Sequence, residues 1–393
     1  MMINRFETGH PRKIIFGKGS VNLLPNLLDA LGLKGNALIV TGRKFAKITG
    51  YLDLLRSLLR GRDDSAFVFD KVEPNPSVET IQKGAELAAR AGINFIVAFG
   101  GGSVIDAAKA ISILPLQGGS IEDYFYDKTH RSVLPPTIPV VAIPTTCGTG
   151  SEVTKYAVIT KGMNKFTVLG DQIIPVAAIL DAETLKHLSS EQFAIAAMDA
   201  ISHSLESYFN NDSNIYSEVF AITALKILLN NYMKGFDNDI DAREEMLYGS
   251  MLAGMAINMT GTTLVHALSA YVTPRFNIPH GLSNGLFIDM YLKKITKAVP
   301  EMTIKLVKNL GFTIDDPKEA SDRIVSSIKQ LKKYSGILIG LKDLNISETH
   351  LHEIAEAGYN FKRLVEKVPI KITFEDVIEI VNEAYQIKNI KYS

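Results

Sequence analysis

Through the first half of the chain, short apolar runs alternate with longer stretches of helical periodicity. ALIVTG (37–42), AFVFD (66–70), NFIVAFG (94–100) and VVAIP (140–144) are rich in β-branched and aromatic residues and do not alternate with polar positions. Such runs predict strands buried on both faces of a parallel sheet. Between them, YLDLLRSLLR, ETIQKGAELAARAG and IDAAKAISIL repeat apolar residues at helical spacing. At least four strand-then-helix units therefore precede residue 150, and they predict a doubly wound α/β domain with a mainly parallel sheet. After LDAETLKHLS, around residue 188, strand-like runs stop and amphipathic helices take over. In a helix predicted from Glu191 to Tyr208, Ala194, Met198, Ile201 and Leu205 form the apolar stripe, with Asp199 and His203 just beside it. Further helices are expected over YSEVFAITALKILLNNYM and AREEMLYGSMLAGMAIN. The reading is two domains, an α/β domain over 1–188 and an all-helical one over 189–393.

Composition supports that division and narrows the partners. A chain of 393 residues exceeds the length at which one core stops growing. Lys plus Arg equals Asp plus Glu at 42 each, leaving no net field for nucleic acid or an anionic membrane, so the expected substrate is small. Residues 246–274 carry no Asp, Glu, Lys or Arg and are long enough to span a bilayer. Gly249, Gly254, Asn258, Gly261 and His266 interrupt them, which favours buried helix around an active site. A single cysteine, Cys147, excludes an internal disulfide framework, and MMINRFETGHPRK lacks the apolar core of a signal peptide, so a cytoplasmic location is expected. With no histidine near it in sequence, Cys147 reads as a small packed residue.

The chemistry concentrates in few residues. Asp199 and His203 are one helical turn apart in AAMDAISHSLE, close enough to chelate one ion, and His266 and His280 follow in a chain with only 8 histidines. One carboxylate and three imidazoles suit a divalent first-row metal with an open position, the arrangement of a catalytic site. Asp199 in an otherwise apolar helix would be costly unless paired or ligated. Pro274 and Pro279 imply that a loop returns His280 to the site. The remaining histidines, His10, His130, His187, His350 and His352, read as surface or structural residues.

In FIVAFGGGSVIDAAKA, Gly100 to Gly102 end a predicted strand and Ser103 opens a helix, a turn suited to a pyrophosphate. PTTCGTGSE follows the next strand, and Thr145, Thr146 and Thr149 offer hydroxyls to ribose or to a nicotinamide amide. At the end of the first strand stand Gly42, Arg43 and Lys44, with no acid to repel a 2′-phosphate. This favours NADP(H) over NAD(H).

Taken together, RKIIFGKGS, EPNPSVETI, FGGGSVIDAAKAIS, IPTTCGTGSEVT, LDAETLKHL, MDAISHSLE and GTTLVHALSA followed by IPHGLSNG resemble the iron-containing, group III alcohol dehydrogenases over nearly the whole chain. The resemblance is to relatives of the butanol and 1,3-propanediol dehydrogenases. It implies that Asp199, His203, His266 and His280 bind a divalent metal, usually Fe2+ and sometimes Zn2+. It implies cofactor contacts at Gly42, Asn75, Gly101, Gly102, Ser103, Asp106, Thr145, Thr146, Thr149, Lys165 and Leu185. It also implies an N-terminal dinucleotide-binding domain, a helical metal-binding domain and usually a homodimer. Many members carry a further histidine four residues after the third ligand, given a role in proton transfer; Ala270 stands there, as in a branch that does without it. The expected reaction is reversible hydride transfer between NADP(H) and a small uncharged primary alcohol or aldehyde, with the metal as Lewis acid. The cleft between the domains is expected to hold the site, with Tyr156, Val158, Ile257 and Ala270 on its wall. A lyase resembling dehydroquinate synthase would need a cationic pocket, which the segments flanking the ligands do not supply. A non-catalytic nucleotide and metal sensor would not need so complete a ligand set.

Overall fold

A computed structural model describes residues 6–126 and 131–387. The chain forms two compact units. One is Thr8–Leu188; the other comprises the described residues from Ser189 onward, joined by residues 6 and 7.

The first unit is built on a six-stranded sheet of β1 (Lys13–Phe16), β2 (Asn36–Gly42), β3 (Ser65–Val72), β4 (Phe95–Gly100), β5 (Val140–Pro144) and β8 (Ala177–Leu180). Every neighbouring pair is parallel, in the order β1-β8-β5-β4-β2-β3. The apolar runs are continuous because both faces are covered. Leu38, Val40, Ile96 and Ala98 enter one core, while Ala37, Ile39, Phe95, Val97 and Phe99 enter the other. Helices α1 (Tyr51–Arg60), α2 (Val78–Arg90) and α3 (Gly102–Ile111) connect strands of this sheet. The chain steps from β2 outward to β3, then returns to place β4 on the other side of β2. The direction of winding therefore reverses between β2 and β4, and in open parallel sheets ligands bind beyond the carboxyl ends of the strands at such a point. A separate antiparallel hairpin, β6 (Tyr156–Lys161) and β7 (Asn164–Leu169), turns at Gly162 with φ +59°.

The second unit is helical. Its long elements include α4 (Ser190–Tyr208), α5 (Ile215–Phe236), α6 (Ile240–Thr260), α7 (Leu264–Phe276), α8 (His280–Ala298) and α9 (Pro317–Tyr334). Ser189 caps α4 by accepting from the Gln192 N–H, and Asp239 caps α6 through the N–H groups of Asp241 and Ala242. The uncharged stretch is two helices. At Gly261, φ +72° ends α6, and α7 leaves at 106° to it. Among the described residues no single helix is long and apolar enough to cross a membrane. Pro274 does not end α7, which runs two residues further; Asn277, at φ +52°, breaks the chain before α8 starts at His280.

Two buried cations fasten these helices. Lys332 of α9 donates to Asp289 of α8 at 2.6 Å, both side chains fully buried. Arg243 of α6 donates to the Gly235 carbonyl at 3.0 Å and to Asn238 Oδ1 at 2.7 Å, with its guanidinium over the Phe193 ring.

Candidate active site

In the helical unit, α4 carries Asp199 and His203, the first turn of α7 carries His266, and the first residue of α8 is His280. Three ring nitrogens meet one oxygen. Asp199 Oδ1 lies 3.6 Å from His203 Nε2, 3.6 Å from His266 Nε2 and 3.8 Å from His280 Nε2. Asp199, His266 and His280 each offer a ligand atom within 4.8 Å of the other two. The rings of His203 and His266 stack with centroids 4.8 Å apart, and His280 meets His266 edge-on at 5.2 Å. The close approach of α8 to α4 depends on Gly281, because a Cβ there would lie 2.0 Å from the Ile195 carbonyl oxygen and 3.2 Å from Asp199 Cβ.

A further set of polar side chains surrounds these four. Glu206, fully buried on α4, accepts from the Thr263 N–H at 2.8 Å and the Thr263 hydroxyl at 2.6 Å, and meets His266 Nδ1 in a short hydrogen bond. The Ser269 hydroxyl is 2.9 Å from His280 Nδ1. Asn284 donates through Nδ2 to Asp199 Oδ1 at 2.7 Å, with the same nitrogen 3.1 Å from His266 Nε2. Its Oδ1 is buried without a hydrogen-bond partner among the described residues.

Burial by itself would raise the Asp199 carboxyl, but the imidazoles of His203, His280 and His266 outweigh it and hold the group well below the usual carboxylate range. Burial likewise opposes ionisation of Glu206, and His266 and Thr263 overcome it. For His266, burial lowers the pKa, while Glu206 and Asp199 more than compensate and bring it to about 9. Two carboxylates thus confront three imidazoles in a site that favours positive charge. One carboxylate oxygen and three imidazole nitrogens, converging where the Asn284 amide nitrogen now lies against Asp199 Oδ1 and His266 Nε2, fit a divalent first-row metal.

In the α/β unit, the residues expected to contact cofactor fall mostly at the carboxyl ends of neighbouring strands. Gly42 ends β2, Gly100 ends β4 with Gly101 and Gly102 following, and Thr145 succeeds β5. The Thr145 N–H donates to the Gly100 carbonyl at 3.1 Å. A Cβ on Gly101 would lie 3.2 Å from the Thr146 side chain, and one on Gly102 would lie 2.5 Å from Thr149 Cγ2, so the threonine loop packs directly on the glycine turn. Asn75, at φ +56°, donates its N–H to Ser103 Oγ at 3.1 Å. Gly101 caps α3 without a side chain, leaving first-turn N–H groups able to receive a phosphate.

Other expected contacts are set differently. Asp106 is half-buried and accepts from the Ser151 hydroxyl and, at 3.0 Å, from the Val158 N–H. Lys165 is on β7, and the Leu185 side chain is fully buried in a short 3-10 turn after β8. Tyr156 is half-buried on β6, Ile257 is buried in α6, and Ala270 is half-buried in α7. Cys147 is a buried thiol outside any disulfide. His187, His350 and His352 pack against the rings of Phe45, Phe276 and Phe374, and His10 is half-buried. His130 lies outside the described residues.

Sequence reasoning passed over Glu206, Ser269, Asn284 and Gly281, and also Lys109 and Glu152. Lys109 is fully buried and donates to Ser151 Oγ at 2.8 Å, Thr154 Oγ1 at 3.2 Å and the Tyr156 carbonyl at 2.9 Å. Burial lowers its pKa to about 8. Burial raises Glu152, beside it, to about 7, and Glu152 Oε1 has no hydrogen-bond partner among the described residues. Spacing held a usable signal for Glu206, which stands seven residues after Asp199 and three after His203 on an apolar helix.

Residues 11–182 match the model of the iron-containing alcohol dehydrogenases, and residues 193–385 match that of the C-terminal part of the Fe-containing alcohol dehydrogenase family. The chain belongs to that family, whose members are NAD(P)-dependent oxidoreductases acting on alcohols. It is 32% identical over 341 residues to the NADPH-dependent butanol dehydrogenase of Clostridium saccharobutylicum, covering 86% of each chain. It is 31% identical over 380 residues to the NAD-dependent methanol dehydrogenase of Bacillus methanolicus, covering 95% of this chain and 98% of that one. Among solved structures, a 1,3-propanediol oxidoreductase superposes with a TM-score of 0.91 at 28% identity, over 97% of this chain and all of that one.

Proposed function

We propose that this enzyme transfers hydride reversibly between NADP(H) and a small, uncharged primary alcohol or aldehyde, using a divalent metal held by Asp199, His203, His266 and His280. The observation that carries the reading is the convergence of three imidazole Nε2 atoms on one carboxylate oxygen. A metal in that set supplies Lewis acidity to a substrate oxygen. The protein's own groups do the rest. Glu206 and Ser269 hold two of the imidazoles by their Nδ1 atoms, so that Nε2 faces the ion. Gly101, Gly102 and the open N-terminus of α3 receive the pyrophosphate, with Gly42, Asn75, Ser103 and the threonines at 145, 146 and 149 around the nucleosides. Asp106, also among the proposed cofactor contacts, holds the hairpin and the loop before it through Ser151 and Val158.

Preference for NADP(H) is supported by Arg43 and Lys44, exposed just beyond Gly42 at the carboxyl end of β2. The relatives include one named for NADPH and one for NAD, so the choice rests on this chain's own residues. As part of the same reading, the enzyme works as a homodimer in the cytoplasm, with no nucleic-acid or membrane partner. Aldehyde reduction with NADPH and NADH compared at equal concentration tests the cofactor. NADPH is expected to give the higher kcat/KM, and Arg43→Ala with Lys44→Ala to raise KM for NADPH selectively. Equal or better rates with NADH in the unmodified enzyme would reject the preference.

A further inference from the structure

The four proposed ligands are not held alike. His266 is backed by a buried carboxylate, whereas His280 is backed by the neutral hydroxyl of Ser269 and leaves 32% of its side chain exposed, against 9% for His266. We propose that Glu206 is the positioning residue that makes His266 the anchoring ligand of the metal, with His280 the more weakly held arm. The inference rests on the reading of Asp199, His203, His266 and His280 as the metal-holding set.

Glu206 is costly where it lies. A fully buried carboxylate without partners is penalised by several kcal/mol, so its position requires donors. Among the described residues, its donors all come from the junction of α6 with α7: the Thr263 N–H, the Thr263 hydroxyl and His266 Nδ1, with the His266 N–H at 3.4 Å. The carboxylate therefore ties the turn of α7 that bears His266 to the helix that bears Asp199 and His203. An ionised carboxylate only accepts, so the Nδ1–H of His266 points at Glu206, which leaves Nε2, the atom 3.6 Å from Asp199 Oδ1, as the nitrogen that would give up its proton and offer its lone pair to a metal. A carboxylate partner raises the donor strength of an imidazole ligand as well as fixing its tautomer; a serine hydroxyl orients the ring without that charge.

The test is Co2+ binding by the full-length protein, measured by chelator competition and by the visible absorption of the bound ion. Unmodified protein is expected to bind Co2+; failure to bind would remove the metal reading itself, and the inference with it. Given binding, Glu206→Gln is expected to weaken it roughly 10–100-fold and to shift the absorption band. Ser269→Ala should weaken it less. Thr263→Val removes another donor to Glu206 at the same helix junction while keeping the contact with His266, and is expected to bind Co2+ within a few-fold of the unmodified protein. If Glu206→Gln is not folded by circular dichroism, Glu206→Asp, which keeps the charge on a shorter arm, replaces it with the same expected direction. Unchanged affinity and spectrum in the Glu206 variant would overturn the inference while the metal reading stands. Equal losses in Thr263→Val and the Glu206 variant would also overturn it, since the effect would then be helix docking.

Discussion

Glu152 shows what a single buried acid does in this enzyme. Burial holds its pKa near 7 instead of 4.5, and the Lys109 charge offsets only part of that. Between those values the folded protein keeps a proton that the unfolded chain has lost, so this residue's contribution to stability is present below about pH 4.5 and is lost as pH rises through 7. The loss is on the order of 3 kcal/mol. Glu152→Gln, which cannot ionise, is expected to gain in melting temperature relative to the unmodified protein between pH 5 and pH 8. A difference that stays constant across that range would mean Glu152 is not the titrating group. Asp199 behaves in the opposite sense, because three imidazoles stabilise its charge. Charge and apolar context singled out Asp199 in the sequence as a candidate ligand. Glu152 was not, since PTTCGTGSE contains nothing to indicate that its acid is enclosed.

Close approach of helices explains a glycine that periodicity left without a role. Gly281 follows His280 in PHG, and there is no room for a side chain between α8 and the Ile195 carbonyl of α4. Gly281→Ala is expected to push the two helices apart, to cost about 1–3 kcal/mol of stability, and to lose metal out of proportion to that, since His280 and Asp199 lie on opposite sides of the contact. Titration with Co2+ alongside thermal unfolding checks this, and wild-type affinity would show that the contact does not set the ligand geometry. The four strands read from the sequence correspond to β2, β3, β4 and β5; in β2, β4 and β5 double burial writes itself as unbroken apolar runs, whereas β3 is a partly exposed edge strand. β1 and β8 escaped notice: each is four residues long, and β1 is at the sheet edge with Ile14 and Phe16 partly exposed. The β6–β7 hairpin is short and half polar. One apolar stretch divides into α6 and α7 because Gly261 takes a conformation that composition does not reveal.

The two compact units have different duties that both families of residues reflect. Parallel strands and glycine turns gather in the unit Thr8–Leu188, and the carboxylate and imidazoles gather in the helical one. The residues proposed as ligands were legible because histidines are scarce and an acid in an apolar helix is costly. The residues that steady them were not, because a buried glutamate, serine or asparagine becomes informative only when its partner, up to 85 positions away in sequence, is known. This enzyme is proposed to need both metal and nucleotide for turnover. The direct test is NADPH-dependent aldehyde reduction by protein stripped of metal and then reloaded separately with Fe2+, Zn2+, Co2+ or Ni2+. Turnover is expected to vanish on stripping and to return with at least one of these ions, with the fold unchanged throughout. Undiminished turnover in the stripped protein would contradict the account.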